Sequence, residues 1–245
     1  VIEGMNATNG LEALYSFRGA HNLGKRLLGW NGTSGQADSN IFRAVGAGTR
    51  FEDCAGWGTN SRKIFDGAQG GNLQGAGYTR CWGEWNDAPR GESHPTNTIQ
   101  IGYNSTNQLF ENLVLTLDAT GEQDEPEGVM SMMHNQYGTL PNDMQGTPIL
   151  GSILYYRPGA TPSGESLLYG GGLSHLTITD LAMVVPPDLP QVRPAHFWGA
   201  GYNCGQSCVD NVCQNCLAVH AGLPIANDAG SGFTLPALHQ APDLA

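Results

Sequence analysis

Lysine is almost missing from this chain of 245 residues. Only Lys25 and Lys63 occur, and 11 basic residues stand against 22 acidic ones, which gives a formal net charge of −11. A nucleic-acid-binding protein needs clustered Lys and Arg to neutralise phosphates, and the sequence has no such cluster. The same deficit argues against an anionic membrane surface. We therefore expect neither nucleic acid nor anionic lipid as a partner.

Long apolar runs and helix-type periodicity are also lacking. No apolar run reaches about 18 residues, so no membrane insertion is expected. Apolar residues spaced at i, i+3, i+4 and i+7 are hard to find. Charged residues make up only 13% of the chain, whereas glycine occurs 35 times. This composition predicts short strands joined by tight turns.

Several catalytic sequence motifs are absent as well. The chain has no Gly-x-x-x-x-Gly-Lys-Ser/Thr, Gly-x-Ser-x-Gly or His-Glu-x-x-His segment. In proteins that contain them, these motifs supply, in that order, a phosphate-binding loop, a serine nucleophile and a pair of zinc-binding histidines. Nucleotide hydrolysis, serine-hydrolase chemistry and zincin proteolysis are therefore disfavoured.

A four-residue motif recurs along the chain: an apolar residue, any residue, Asp or Asn, then an apolar residue. Clear copies end at Cys54, Leu113 and Leu181, and weaker copies end at Cys81, Ile153 and Cys216, at intervals of 27 to 40 residues. Strands that recur at such intervals are typical of a solenoid, in which each unit buries its apolar face against its neighbours. We predict an all-β fold, a right-handed parallel β-helix formed as a single domain over residues 1–245.

The predicted coils divide the chain into three parts. Residues 1–48 are expected to form irregular N-terminal coils or a cap, residues 49–219 the regular coils, and residues 220–245 a C-terminal tail or cap. A second series of strands, Lys63–Gly67 and Thr98–Gly102, interleaves with the first. Equivalent residues stack, which predicts an interior row of medium-sized apolar groups: Cys54, Cys81, Leu113, Ile153, Leu181 and Cys216. Beside it we expect Asp53, Asn112, Asp180 and Asn215 at the outward or turn position.

Two longer segments carry a family resemblance. They are Phe51–Gly58 with the following Arg62-Lys63 and Tyr78–Cys81, and Tyr103–Asn107 with the following Phe110-Glu111-Asn112. Over residues 41–185 the chain resembles secreted bacterial right-handed parallel β-helix repeat proteins of the pectate-lyase-like superfamily. The superfamily includes polysaccharide lyases, glycoside hydrolases, phage tailspikes and adhesins, so the resemblance implies the fold more strongly than an activity.

The resemblance implies a candidate catalytic groove. A polyuronate lyase of this superfamily needs carboxylates around Ca²⁺ and an Arg or Lys base. The candidates are Arg62, Lys63, Arg80, Glu84 and Asp87, with Asp53, Glu92 and His94 in neighbouring coils. A glycosidase instead needs two carboxylates flanking the scissile bond, for which Glu84 with Asp87, or Asp118 with Glu122, are the possible pairs.

No metal or other cofactor is favoured, and Ca²⁺ is the one possibility kept open. The acidic loop at 118–127 offers Asp118, Glu122, Asp124 and Glu125, with Glu127 beside them, as calcium ligands. The loop lacks the spacing and central glycine of an EF-hand, so a solvated charged loop is preferred.

The cysteines and glycosylation triplets indicate the compartment. Cys204, Cys208, Cys213 and Cys216 suit two local disulfides better than a zinc site, with the pairing left open. Cys54 and Cys81 are either stacked core thiols or a bridge between coils. Triplets at Asn6, Asn31 and Asn104 match N-glycosylation acceptors. We expect an extracellular or cell-surface protein, and the start at Val1 suggests a mature product or a fragment.

Aromatic residues offer a further possibility. Trp30, Trp57, Trp82 and Trp85, with Tyr78 and Tyr103, are candidates for a platform that stacks on sugars. Because Trp82 and Trp85 lie three apart in a strand, they point to opposite sides, and at most one of them is outside.

The leading function hypothesis is a non-catalytic extracellular structural or adhesive protein, able to assemble into a fibre or surface layer. Its expected partners are further copies of itself or an extracellular polysaccharide. The alternatives are a carbohydrate-active enzyme, either a polysaccharide lyase or a glycoside hydrolase, and a glycan-binding module.

Overall fold

The fold is given by a computed structural model that describes residues 1–9, 13–31, 40–58, 63–67, 75–86, 97–102, 106–120, 128–133, 142–159, 166–198, 209–221, 223–227, 233–234 and 239–241. Every regular element in these residues is a β-strand.

The strands follow one another in the chain as short segments of two to six residues. The first fifteen are β1 (Ile2–Glu3), β2 (Asn6–Thr8), β3 (Ala13–Phe17), β4 (Leu23–Lys25), β5 (Leu28–Trp30), β6 (Asn40–Ala44), β7 (Arg50–Glu52), β8 (Ala55–Gly58), β9 (Lys63–Gly67), β10 (Gly77–Thr79), β11 (Trp82–Asn86), β12 (Asn97–Gly102), β13 (Leu109–Glu111), β14 (Val114–Asp118) and β15 (Gly128–Met133). The remaining strands are β16 (Asn142–Asp143), β17 (Pro148–Leu150), β18 (Ile153–Arg157), β19 (Ser166–Gly171), β20 (Leu173–Ser174), β21 (Thr177–Thr179), β22 (Ala182–Val184), β23 (Arg193–Trp198), β24 (Asn211–Gln214), β25 (Leu217–Val219), β26 (Ala226–Asn227), β27 (Phe233–Thr234) and β28 (His239–Ala241).

Three long parallel sheets contain nearly all of these strands. Sheet A has the order β1-β4-β7-β10-β13-β17-β21-β24-β27, sheet B has β2-β5-β8-β11-β14-β18-β22-β25-β28, and sheet C has β26-β23-β19-β15-β12-β9-β6-β3. Each coil passes through sheets A, B and C in turn, and the next coil repeats the path one strand further along. This is a parallel β-helix, so the predicted all-β solenoid is confirmed. Most coils have three strands, not the two that the sequence pattern suggested, and β16 and β20 add a fourth strand to two neighbouring coils.

A two-residue corner joins sheet A to sheet B in every coil from the first to the eighth. Its first residue has a positive φ, between +50° and +67°, at Gly4, Arg26, Asp53, Arg80, Asn112, Gly151, Asp180 and Asn215. Glycine adopts this left-handed conformation freely, and Asn and Asp tolerate it better than other residues. The structure places four residues at this turn, as predicted: Asp53, Asn112, Asp180 and Asn215.

The backbone hydrogen-bond ladder continues around this corner. The N–H of Asp53 donates to the carbonyl of Thr79 in the next coil, and the N–H of Ala55 donates to Leu27 in the previous one. Equivalent pairs recur in the other coils, for example from Asn112 to Leu150. Because no ladder bond is lost at the bend, the corner costs little in unsatisfied backbone groups.

The core is a set of stacked side chains inside the three sheets. Phe51 stacks on Tyr78 with ring centroids 5.4 Å apart, and Phe42 stacks on Phe65 at 5.3 Å. Tyr78 is fully buried, and its hydroxyl donates to the Asp66 carbonyl over 2.7 Å. Stacking of equivalent residues therefore extends through the interior, as parallel in-register pairing requires.

From the second coil onward the second corner residue is buried, and here one prediction is wrong. Cys54, Cys81, Leu113, Leu181 and Cys216 are buried, but Ile153 is 42% exposed. Its expected place is occupied by Ser152, because Phe110 pairs with Ile149 and Glu111 with Leu150. The Ser152 hydroxyl accepts the buried N–H of Leu113 over 3.1 Å, which makes a polar residue acceptable inside.

The predicted register of sheet C is also off by one residue. Lys63 pairs with Asn97, not with Thr98. Thr98 lies instead near the interior, where a side chain at Gly83 would approach its Cγ2 within 3.0 Å.

The two terminal segments also contain strands of the solenoid. Within residues 1–48 the chain already forms β1 to β6, and β26 to β28 lie within residues 220–245.

Glycine at the inner face of sheet B makes room for sheet C. A Cβ at Gly83 would lie 2.5 Å from Phe65 Cε2, whereas a Cβ at Gly102 would meet nothing within 4 Å. We predict that Gly83→Ala lowers the free energy of unfolding by about 1–3 kcal/mol, as overpacking does. Gly102→Ala, the control, is expected to leave it nearly unchanged. Urea unfolding of both variants tests this, and equal midpoints would contradict the packing described.

Candidate functional site

The outer face of sheet B carries partly exposed apolar side chains in consecutive coils. We call it the apolar face, and it consists of two rows, one along each outward position of the strands. The first row is Leu28, Ala55, Trp82, Val114, Ile153, Ala182 and Leu217, and the second is Trp30, Trp57, Glu84, Thr116, Tyr155 and Val184. Val219, which pairs with Val184 in the next strand, is buried.

The apolar face follows from the corner geometry. The residue directly after each inward corner residue begins the sheet B strand and must point outward, since side chains alternate along a strand. Leu28 and Val114 are each 38% exposed and Ile153 is 42% exposed. A sheet with one face in solvent usually carries polar residues there. This one carries apolar residues in seven consecutive coils.

Three tryptophans form a stack within this face. The rings of Trp30 and Trp57 have centroids 5.4 Å apart and planes 13° apart, and Trp57 and Trp82 are 6.0 Å apart at 45°. The flat sides of Trp30 and Trp57 therefore face each other, whereas the ring of Trp82 is tilted against that of Trp57. A sugar needs an open ring face to stack on, and the ring faces that Trp30 and Trp57 turn toward each other do not offer one.

The remaining platform candidates are Trp85, Tyr78 and Tyr103. Trp85 and Tyr78 are fully buried in the core. Tyr103 lies outside the described residues. The prediction that at most one of Trp82 and Trp85 is outside is confirmed.

The apolar face carries little charge. Glu84 is the single charged residue in the two rows. Beyond them, Asp118 and Arg157 pair across neighbouring strands at 3.5 Å. The face is thus almost neutral on a chain whose net charge is −11.

The outer side of sheet C is polar and buried. Asp66 is its centre: its carboxylate lies 3.3 Å from Arg43 Nε, 3.3 Å from Asn40 Nδ2 and 3.9 Å from Lys63 Nζ. Lys63 has no exposed surface. Gln100, Ser131 and Ser166 continue the polar side of this sheet in later coils, and all three are buried.

The structure distributes the predicted catalytic residues over different parts of the coil. Lys63 lies on sheet C, Arg80 at the corner between sheets A and B, and Glu84 on sheet B. Arg62 and Asp87, with Glu92 and His94, lie outside the described residues. The three described candidates are therefore not brought together on one sheet.

Arg80 is paired at the surface. Its Nε donates to Asp53 Oδ1 over 2.6 Å, and its Nη2 lies 3.6 Å from Glu52 Oε2. The hydrogen bond from Arg80 lowers the pKa of Asp53 and raises that of Arg80 itself. A guanidinium held in this way is a fixed cation, because its raised pKa opposes the loss of a proton that a general base requires.

For the calcium candidates the structure describes Asp118 alone. Asp118 Oδ1 accepts hydrogen bonds from the backbone N–H and the hydroxyl of Thr120, at 3.1 and 2.7 Å. Glu122, Asp124, Glu125 and Glu127 lie outside the described residues. Among the residues that are described, no group of three or more His, Cys, Asp or Glu side chains is placed to hold a metal ion.

The cysteines take two different forms. Cys213 and Cys216 are joined in a disulfide within one coil, so these two are not zinc ligands here. Cys204 and Cys208 lie outside the described residues. Cys54 and Cys81 are free, buried thiols in adjacent coils, which is the stacked-thiol alternative. Burial raises the pKa of Cys81 well above its ordinary value, which disfavours the reactive thiolate form.

One of the three glycosylation triplets, Asn6-Ala7-Thr8, lies wholly within the described residues. Asn6 and Asn31 are exposed near the N-terminal end of sheet B, whereas Gly32, Thr33 and Asn104 lie outside the described residues. In the part of the chain described, no helix has the length and apolar character needed to cross a membrane.

Comparison with known proteins adds little to these observations. Neither the comparison with protein families nor that with curated proteins finds a match. The chain is similar to the catalytic domain of a GH87 α-1,3-glucanase in complex with nigerose, with 12% identity and a TM-score of 0.38, over 87% of this chain and 40% of that one. It is also similar to QnrB1, a plasmid-mediated fluoroquinolone resistance protein, with 9% identity and a TM-score of 0.19, over 98% and 93%. The chain thus spans less than half of the glucanase domain, and the fold assignment rests on the three parallel sheets.

The buried ion cluster on sheet C allows a direct comparison with the exposed pair at the corner. Asp66→Asn removes the carboxylate that Arg43 and Lys63 share, and we predict a loss of about 3–5 kcal/mol in the free energy of unfolding. Asp53→Asn, which breaks the exposed pair with Arg80, is expected to change it far less. Chemical denaturation of the two variants measures the difference. Similar losses would show that the sheet C cluster is not buried as described.

Proposed function

We propose that this chain is a non-catalytic extracellular structural or adhesive β-solenoid that attaches through its apolar face. The single observation that supports this is the outward apolar row from Leu28 to Leu217, which runs through seven consecutive coils. Contiguous exposed apolar surface beyond a few hundred Å² marks an interaction site on most soluble proteins.

The solenoid is suited to such a role because it is a stiff support. Continuous ladders in three sheets hold every outward side chain at a strand spacing of about 4.8 Å. A partner therefore meets a regular, preorganised surface and orders few groups on binding. The extracellular location is supported by the Cys213–Cys216 disulfide, since disulfides persist in oxidising compartments.

The alternative is a carbohydrate-active enzyme or a glycan-binding module that works along the outer side of sheet C. Its support is the polar side of that sheet, together with the length in sequence of the connections that lead into its strands, such as residues 87–96 from β11 to β12. Loops on one side of a solenoid often form its binding surface. The structural role is favoured because Lys63 and Asp66 are buried and paired with each other.

Adsorption to polymers, measured together with turnover, separates these functions. We predict that the protein adsorbs to insoluble cell-wall polymers without releasing reducing or unsaturated sugar ends. Ile153→Arg, which places a cation in the apolar row, is expected to weaken adsorption at least about tenfold, since burying an unpaired charge is unfavourable.

Val209→Arg is the matched control, because Val209 is as exposed as Ile153, at 42%, but lies outside sheet B. It is expected to adsorb like the unchanged protein. Release of sugar ends that Asp66→Asn abolishes would overturn the non-catalytic function. Equal adsorption by Ile153→Arg and Val209→Arg would overturn the role of the apolar face.

A further inference from the structure

We propose that Cys54 and Cys81 are an oxidation site inside the solenoid, at which hydrogen peroxide converts two stacked thiols into a disulfide between neighbouring coils. The inference goes beyond the proposed function, since it concerns the core and not the apolar face. Three observations support it: the register of the two cysteines, the matching contacts of their sulfurs and their position directly beneath the surface.

The strand register places the two cysteines one above the other. Glu52 pairs with Thr79 just before them, and Ala55 pairs with Trp82 just after them. Their Cα atoms are therefore about one strand spacing apart, which is about 4.8 Å. Disulfides join cysteines whose Cα atoms lie about 4.4–6.8 Å apart. The backbone spacing thus suits a disulfide without any change of register.

The two sulfurs have matching surroundings, one coil apart. Cys54 Sγ lies 3.2 Å from the carbonyl oxygen of Glu52, and Cys81 Sγ lies 3.4 Å from that of Thr79. Each sulfur also lies near a carbonyl oxygen of the preceding coil, at 3.7 and 3.5 Å. The two side chains therefore point the same way and are neighbours in the stack. Rotation of both side chains, with a small approach of their Cβ atoms, brings the sulfurs to bonding distance.

Neighbouring positions in the stack offer no competing thiol. Leu27 occupies the equivalent corner position in the coil before the pair, and Leu113 occupies it in the coil after. Cys216 is at the same position in a later coil and is bonded to Cys213. Within the described part of the chain, each of the two thiols therefore has the other as its partner.

The pair lies one residue below the surface. The corner residues that precede the cysteines, Asp53 and Arg80, have side chains that are 34% and 50% exposed. An oxidant as small as hydrogen peroxide thus has a short path to the sulfurs.

The two thiols differ in acidity, which sets the order of the steps. The side-chain hydrogen bond from Cys81 lowers the pKa of Cys54, whereas burial raises the pKa of Cys81 well above its ordinary value. The thiolate is the form of cysteine that attacks an oxidant. Cys54 therefore reacts first and Cys81 second.

Each step balances. Cys54 Sγ attacks one oxygen of hydrogen peroxide, so that an S–O bond forms, the O–O bond breaks, and the departing hydroxide leaves as water with the proton of the thiol. Cys81 Sγ then attacks the sulfur of this sulfenic acid, so that the S–S bond forms and the S–O bond breaks. The hydroxide that leaves takes the proton of Cys81. Two thiols are oxidised to one disulfide, and hydrogen peroxide is reduced to two water molecules.

The disulfide fastens the coil of β7 and β8 to that of β10 and β11. The two cysteines are 27 positions apart in the chain. Closing a loop of this length restricts the unfolded chain more than the folded one, in which the two coils are already held together. Oxidation is therefore expected to lower the equilibrium constant of unfolding at least about thirtyfold.

Peptide mapping tests the site. The folded protein is taken from a reducing buffer, treated with hydrogen peroxide and digested with trypsin without reductant. The two cysteines fall in separate tryptic peptides, residues 51–62 and 81–90. We expect these peptides to be joined, with the loss of two hydrogen atoms, and to be separated by dithiothreitol. Peptides that are not joined to each other, whether their sulfurs stay thiols, become sulfinic acids or bond to other cysteines, would overturn the proposal.

Serine variants test the order of the steps. Serine is a matched replacement, because Ser152 occupies the same corner position and its hydroxyl donates to the carbonyl of Leu150 over 3.0 Å. In Cys81→Ser, peroxide is expected to leave Cys54 as a sulfenic acid that dimedone traps. In Cys54→Ser, Cys81 is expected to stay a thiol. A sulfenic acid at Cys81, or at neither residue, would contradict the order of attack.

Urea unfolding of the reduced and the peroxide-treated protein measures the effect of the disulfide. The unchanged protein is expected to show the thirtyfold difference, whereas Cys54→Ser, which cannot form the disulfide, is expected to unfold alike before and after peroxide. Equal unfolding of both forms of the unchanged protein would overturn the fastening of the two coils. Circular dichroism of each variant verifies that the three sheets have formed.

Discussion

The left-handed residue at the corner between sheets A and B is the constraint on which the structure depends. It turns the chain within two residues while the N–H groups on either side keep bonding to the coils before and after, as those of Asp53 and Ala55 do. Each coil therefore falls one strand spacing from the last, and equivalent residues line up. The stacked core, the buried corner residues and the outward rows are consequences of this single repeated bend.

Part of this fold could be predicted because the corner leaves a sequence signal. Asp and Asn at 53, 112, 180 and 215 are residues that adopt positive φ, and apolar residues flank them. The signal fails in the coil where Gly151 takes the left-handed position and Ser152 the inward one. Glycine adopts the left-handed conformation without a side chain, and the serine hydroxyl accepts a hydrogen bond from a buried N–H. Gly151 and Ser152 therefore do not match the sequence motif, although they fill the turn position and the inward position of the corner.

The candidate site was harder to predict, because it depends on the side of the sheet to which each side chain points rather than on residue type. The residue after each corner begins sheet B, and reading that position alone in every coil reveals the apolar row. The catalytic candidates were chosen instead from their charge. Charge alone does not tell that Lys63 is buried on sheet C while Arg80 is paired at a corner. The three sheets thus have different outer sides: ion pairs near sheet A, apolar residues on sheet B and buried polar residues on sheet C.

The distance between outward positions of sheet B tests the account most directly. Spin labels introduced as non-natural residues at Leu28 and Ile153, four strands apart, and at Leu28 and Leu217, six strands apart, can be measured by pulsed electron resonance. A stack of coils predicts separations of about 19 Å and about 29 Å, since each step is about 4.8 Å. Separations that do not grow with the number of strands would contradict the stacking of the coils, and with it the apolar face.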